Sequence, residues 1–396
     1  MKYKVYLLKR WIEDLLIYPF VLAGRLFSKR FEKEYDIVFF FPFYHIGGAE
    51  RVHLEVARAF RDKECLIIFT KKSSAQDYLS EFRDTGFDVW EVSAHTDSKW
   101  KYWENLFYRG VVSGSIAQLR RQPIVFNGQC NFAYKISPWL DRSLQQIELI
   151  HSYCSFSQIR LPFLHFYSKT CMIGRRKIED HLHQYKRLGV PEKYAERIVY
   201  TPNAISLPEG VVAPKELQFP IEFVFVGRNS PEKRVEWAIR LTQSVREKGL
   251  DVELRLIGDF QASIPPDCRG FVVCEGPVSN LADLYQIYSK HGHFILITSS
   301  DESGPLVLME GMAHGMLVVS TDVGEVSLHV KDGENGVVFP VSSSLEDVVS
   351  CISEYLLGLV SGQCDYSSIS QHNIGYAAMH FGFSDFAVRY RSVFAA

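Results

Sequence analysis

The sequence has little net charge, no clustered cysteines and no long apolar run. Forty-four Lys and Arg face 46 Asp and Glu, a formal net charge of −2 over 396 residues. That balance excludes a whole-chain case for nucleic-acid binding. The eight cysteines (Cys65, Cys130, Cys154, Cys171, Cys268, Cys274, Cys351 and Cys364) never form a Cys-x-x-Cys pair. Zinc-ribbon and thioredoxin-like chemistry are thereby excluded. Several cysteines sit in apolar strand-like runs such as Cys65–Phe69, which fits buried, reduced thiols in a cytoplasmic protein. The longest apolar run, Leu15–Gly24, contains Pro19 and is too short to span a bilayer. Glu13 and Asp14 directly before it argue against a signal peptide. No repeat of fixed period is present.

What is there is an ordinary globular composition, 47% hydrophobic and 23% charged, with length enough for two domain cores. Apolar strand-like runs alternate with amphipathic helical ones, the rhythm of parallel α/β layers. In the first half, strands are expected at 37–41, 66–70, 89–92, 124–127, 147–150, 169–173 and 198–201. In the second half they are expected at 222–226, 253–257, 272–274, 294–298 and 317–320. The prolines at 208, 214 and 220 mark a linker over 206–220, between domains at 36–205 and 221–375. Residues 361–373 read as a loop, and 376–396 as a closing segment with a helix over 383–394, for which Ser384 is a good N-cap.

Residues 1–35 differ from the rest. Eight Lys and Arg against four Asp and Glu give them a local net charge of +4. Trp11, Tyr18, Phe20 and Phe27, flanked by Lys9, Arg10, Arg25, Lys29 and Arg30, suit an interfacial anchor on an anionic membrane surface. A helix packed on the first domain accounts for the same residues, and both readings stand at this point.

The chemistry concentrates in Glu302-Ser303-Gly304-Pro305-Leu306-Val307-Leu308-Met309-Glu310. Pro305 suits the first turn of a helix running to about His314, whose free N–H groups and positive dipole end form an anion site. Glu302 stands at its mouth and Glu310 two turns along. Phe225-Val226-Gly227-Arg228 closes a strand, and Pro231-Glu232-Lys233-Arg234 opens a helix, so Arg228 and Lys233 form a second anion site. Gly47-Gly48-Ala49-Glu50 follows the first strand of the first half and permits close approach of backbone to a ligand. His151 ends another strand there. Surface charge and ordinary helix termini are the bland alternatives for these loops, and a satisfied structural histidine is the alternative for His151. His181/His183 and His291/His293 are read as structural rather than as metal pairs.

This pattern resembles the Glu-x-seven-Glu motif of retaining glycosyltransferases of family 4, which have the GT-B fold. The similarity extends through Gly311–Gly315, Leu317–Glu325 and the turn Asp332-Gly333-Glu334-Asn335-Gly336. Val323-Gly324-Glu325 stands where a double glycine is usual, and Ala204 replaces the glycine of a Pro-Asn-Gly turn at Pro202-Asn203. The resemblance implies two doubly wound Rossmann-like domains facing a central cleft, with the last helix crossing back to the first domain. It implies a nucleotide-sugar donor and a glycan or lipid-linked acceptor, as in bacterial lipopolysaccharide or other surface polysaccharide assembly, at the inner face of the membrane. By the same resemblance, Arg228 and Lys233 face the donor diphosphate, with Gly47, Gly48, Ser303, Gly304, Pro305 and Leu306 also at the donor. Gly276 lies near the base, Glu302 and His151 near the transferred sugar, and Glu310 on the ribose. No Asp-x-Asp pair is present to hold a divalent ion on a diphosphate, so no essential metal and no cofactor are expected. A phosphorylase, an epimerase or a non-catalytic nucleotide-sugar-binding partner of the same fold are the rival readings.

Overall fold

The computed structural model describes residues 2–98, 100–154 and 156–395; Met1 and Ala396, the outer ends of two expected segments, lie outside them. The chain divides into two compact units, Met1–Pro202 with Ser384–Ala396, and Asn203–Phe383.

The first unit is built on a seven-stranded sheet. Its strands are β1 (Ile37–Phe41), β2 (Cys65–Phe69), β3 (Asp88–Glu91), β4 (Ile124–Gly128), β5 (Gln146–Ile150), β6 (Lys169–Met172) and β7 (Ile198–Tyr200), in the order β3-β2-β1-β4-β5-β6-β7. Every pairing is parallel. A central parallel strand is covered on both faces, so it reads as a continuous apolar run, and Ile-Val-Phe-Phe-Phe in β1 is buried at all five positions. The closing helix, Phe383–Ala395, belongs to this unit from Ser384 onward. Phe394 lies 4.4 Å from the Phe60 ring and 5.4 Å from Phe126, centroid to centroid, and Arg391 pairs with Asp62. The return of the last helix, implied by the resemblance, is thus part of the fold.

Residues 2–25 form one helix that continues through Pro19. It lies parallel against the helix Tyr102–Ala117, and glycine sets the closeness of the contact. A β-carbon at Gly110 would sit 2.0 Å from the Val21 carbonyl oxygen, and one at Gly24 would sit 2.0 Å from that of Phe107.

The second unit holds β8 (Ile221–Val226), β9 (Val252–Ile257), β10 (Val272–Gly276), β11 (Phe294–Ile297), β12 (Leu317–Thr321) and β13 (Gly336–Phe339), in the order β10-β9-β8-β11-β12-β13. These pairings too are all parallel. Sequence patterning missed β13, a four-residue edge strand defined by its register with β12.

Three further expectations need correction. Residues 361–373 are a loop only as far as 365: the helix Tyr366–His380 takes in the rest, started by the Asp365 side chain accepting from Ser367 N–H. Its polar residues hid it, because they are buried and bonded by tertiary partners. Ser370 accepts from Lys215 N–H, and Asn373 donates to the carbonyls of Met316 and Asn335. The expected linker over 206–220 also differs, since the division falls between Pro202 and Asn203. The closing segment switches units at Ser384, not at 376.

Candidate active site

In an open doubly wound sheet, ligands bind beyond the carboxyl ends of the strands where the winding reverses. In the second unit that reversal lies between β8 and β11. The segment after β8 starts at Gly227 and turns through the short 3-10 helix Pro231–Lys233. Arg234 then adopts φ 50°, a left-handed conformation that a non-glycine residue holds only when its surroundings impose it. Those surroundings are the end of β11. Arg234 Nε donates to the Thr298 carbonyl at 2.5 Å, and the Thr298 hydroxyl donates back to the carbonyls of Lys233 and Arg234 at 3.0 Å each.

The consequence is the position of Lys233. Its Nζ lies 2.5 Å from Glu302 Oε1, and the Ser299 hydroxyl donates to the same oxygen at 2.8 Å. The cation after one switch-point strand and the carboxylate after the other are therefore a single ion-paired centre. Arg228 is exposed on the same loop. The neighbouring Glu232 carboxyl is held below its usual range, first by a hydrogen bond from Ser230, with Arg228 and Lys233 adding to it.

Glycine makes room for the Glu302 loop. Gly324 has φ 54°, and a β-carbon there would lie 2.2 Å from the Ser303 carbonyl oxygen. Val323-Gly324-Glu325 thus supplies one glycine where only one is needed. Asn203 Nδ2 donates to the Gly304 carbonyl at 2.8 Å. Pro305 is the N-cap of the helix Leu306–Ala313 rather than its first residue, and no side chain bonds to that cap. Glu310 is buried in this helix and accepts from the Tyr288 hydroxyl at 3.2 Å. The His314 ring bonds to the Glu310 carbonyl oxygen, and burial lowers its pKa. Gly276 ends β10, on the far side of β9 from β8; its φ is 75° and its carbonyl accepts from Gly258 N–H.

In the first unit the reversal lies between β1 and β4. Gly47 caps the helix Gly48–Arg58 in an extended conformation, and a β-carbon there would meet Glu50 Oε2 at 2.1 Å. The glycine leaves space for the carboxylate to fold over the helix start, where the dipole favours it. One turn on, His53 stacks on Phe41 with centroids 4.5 Å apart. Its Nε2 is 2.8 Å from His151 Nε2, at the end of β5. His151 N–H donates to Gln129 Oε1 at 2.8 Å, from a residue held at φ 55° just beyond β4. Burial lowers the His151 pKa to about 4; it also puts His53 well below its ordinary range, with His151 adding to the effect.

The structure thus gathers Arg228, Lys233, Glu302, Ser303, Gly304, Pro305, Leu306 and Glu310 around one switch point. It places Gly47, Gly48 and His151 around the other, in the other unit. Sequence reasoning missed Arg234, Ser299, Tyr288, His53 and Gln129. Only His53 left a local signal, an imidazole inside the apolar face of the helix that follows the double glycine. Among the described residues no group of three or more His, Cys, Asp or Glu is arranged to hold a metal ion.

Two all-parallel units of this winding define the GT-B class of fold, and solved structures share it. The lipopolysaccharide outer core galactosyltransferase WaaB, in its apo form, matches at a TM-score of 0.66 and 19% identity, covering 90% of this chain and 98% of its own. Anabaena Alr3699/HepE in complex with UDP and glucose matches at 0.69 and 13%, covering 91% and 100%. The pneumococcal O-GlcNAc transferase GtfA in complex with UDP and GlcNAc matches at 0.69 and 13%, covering 92% and 99%.

Residues 220–357, which lie within the second unit, match the family glycosyl transferases group 1. The D-inositol 3-phosphate glycosyltransferase of Corynebacterium aurimucosum is 28% identical over 177 residues, 41% of this chain and 41% of that relative's length.

Proposed function

We propose that this protein transfers a sugar from a nucleoside-diphosphate sugar to a glycan or lipid-linked acceptor, with retention of the anomeric configuration. The acceptor belongs to bacterial surface polysaccharide or lipopolysaccharide assembly and is met at the inner face of the membrane. The observation that carries the reading is the Lys233–Glu302 ion pair at the switch point of the unit that matches group 1 glycosyltransferases. Relatives of the same fold crystallised with UDP and a sugar support the donor class.

In this reading Arg228, Lys233 and the positive end of the helix Leu306–Ala313 stabilise the negative charge that develops on the departing diphosphate. The bond from the sugar's anomeric carbon to the phosphate oxygen breaks. The acceptor hydroxyl oxygen bonds to that carbon on the same face, and its proton passes to an oxygen of the leaving diphosphate. Glu302 orients the transferred sugar and Glu310 the ribose. Fixed cations and a helix terminus supply the charge that a divalent ion would otherwise bring, so no metal is essential.

A thermal-shift panel of nucleoside diphosphates and their sugars identifies the donor, because a ligand that binds the native state raises the melting temperature. With an acceptor in hand, the anomeric proton signal of the product by NMR reads the stereochemistry. An inverted product overturns the retaining mechanism. Activity lost to a chelator and restored by a divalent ion overturns metal independence. Release of sugar phosphate that depends on inorganic phosphate makes the protein a phosphorylase instead.

A further inference from the structure

The helix Lys2–Arg25 is apolar on the face turned away from the protein as well as on the face that packs. Its inner face is already complete. Tyr3, Ile17, Val21 and Gly24 are buried, and the glycine contacts with Tyr102–Ala117 hold it close. The opposite face carries Val5, Leu8, Ile12, Leu15, Leu22 and Leu26 at helical spacing, all exposed, with Leu15 at 62% and Leu26 at 82%. Leu16 and Trp11 widen this stripe. A globular helix ordinarily presents polar residues there, and a patch of this length marks an interaction surface.

Charge selects the occupant. Lys2, Lys4 and Lys9 are exposed along the stripe, and Lys29 and Arg30 follow its end. The helix's two carboxylates are both paired: Glu13 with Lys135 and Arg109 of the first unit, and Asp14 with Arg10 one turn earlier in the same helix. The solvent face is therefore apolar and edged by cations. Arg109 also donates to the Tyr102 hydroxyl, which brings the start of the neighbouring helix beside Glu13; Tyr102, Trp103 and the adjoining Trp100 are exposed there, Trp100 at 98%. Aromatic rings of this kind suit the boundary between lipid headgroups and acyl chains. No helix among the described residues is long and apolar enough to cross a membrane.

We infer that the outward face of the helix Lys2–Arg25 lies in the plane of an anionic lipid surface, its leucine stripe sunk among the acyl chains and its flanking lysines on the phosphates. The helix is about 36 Å long at the usual rise per residue, so it engages the bilayer along its length rather than across it. Because its inner face is closed against the first unit by backbone-to-backbone contact, the helix is a rigid mount and not a tether. The inference deepens the membrane location proposed above but rests on this face alone, independent of the sugar-transfer site.

The test uses the full chain in co-sedimentation with vesicles of equal parts phosphatidylglycerol and phosphatidylcholine, and with phosphatidylcholine alone. Binding is expected to the anionic vesicles and to weaken with added salt. Leu15→Glu with Leu16→Glu should lower it by roughly tenfold or more, at an unchanged melting temperature, because both side chains are exposed. Lys4→Ala with Lys9→Ala should lower it at low salt. Nucleoside-diphosphate binding should be the same in all variants, which separates failure here from failure of the donor site. Absence of vesicle binding at low salt overturns the inference. So does a wild-type dimer that Leu15→Glu with Leu16→Glu converts to a monomer while vesicle binding is unaffected, since the face would then belong to a second copy of the chain.

Discussion

Lys233 and Glu302 are 69 positions apart in sequence and 2.5 Å apart in space, joined Nζ to Oε1 across the switch point of the second unit. The pair is partly buried, so its two members answer for each other's electrostatics more than an exposed pair would. Lys233→Ala should slow sugar transfer by at least roughly tenfold with the fold intact, as truncating one partner of a desolvated charged contact costs about 2–5 kcal/mol. Arg228→Ala should do the same. Steady-state rates at saturating acceptor read both, and wild-type turnover in both variants would remove them from the donor site.

Glu302→Gln has a different expected signature. It removes the carboxylate that holds Lys233, leaving the ammonium available to a diphosphate. Affinity for nucleoside diphosphate should stay level or rise while turnover of the intact donor falls. Glu310→Gln should instead weaken nucleotide binding. Calorimetric titration beside kinetics separates the two; equal and small effects of both changes on every ligand would show that the motif has no role in this chain.

Gly324→Ala tests the shape of the loop. Its φ of 54° disfavours any β-carbon, and the Ser303 carbonyl oxygen occupies the space. The variant should stay folded by circular dichroism and lose most transfer activity, because relief of the clash moves Ser303 and Glu302. Full activity would mean that the loop tolerates displacement.

The histidine pair predicts a pH response. Burial lowers the His151 pKa from an ordinary 6.5 to about 4, and His53 lies well below 6.5 as well. Each is neutral in the folded state where the unfolded chain already binds a proton. Their contribution to stability is complete above pH 6.5 and is lost as pH falls toward about 4. The melting temperature of His151→Gln should therefore fall less steeply over that range than that of the wild type. His53→Phe removes the ring nitrogen that meets His151, and should lower the transfer rate in the same direction as His151→Ala, without abolishing it. A wild-type rate in His53→Phe would leave His53 as packing alone.

Much of the architecture was legible because parallel strands must be apolar along their whole length. Phe-Phe-Phe in β1 and Phe-Ile-Leu-Ile in β11 could hardly be anything else. The positions of the motif residues were legible for a related reason: glycine, proline and charge after a strand mark where the backbone turns. The helix Tyr366–His380 was not, since Ser370 and Asn373 are helical only with Lys215, Met316 and Asn335 to bond. β13 was not, since an edge strand of four residues is recognised by its neighbour.

The sequence by itself determined that this is an α/β chain with glycine- and cation-bearing loops after its strands, because those properties depend on residue type and local spacing. Only the tertiary structure decided that Lys233 meets Glu302, that Arg234 takes a left-handed conformation and that His53 meets His151. Each depends on which strands become neighbours when the sheet winds outward from its first strand in both directions. It also decided that the leucines of the first helix face outward. Helical periodicity places residues on a common face, but which face turns to the protein is set by the glycines at 24 and 110, where backbones can touch.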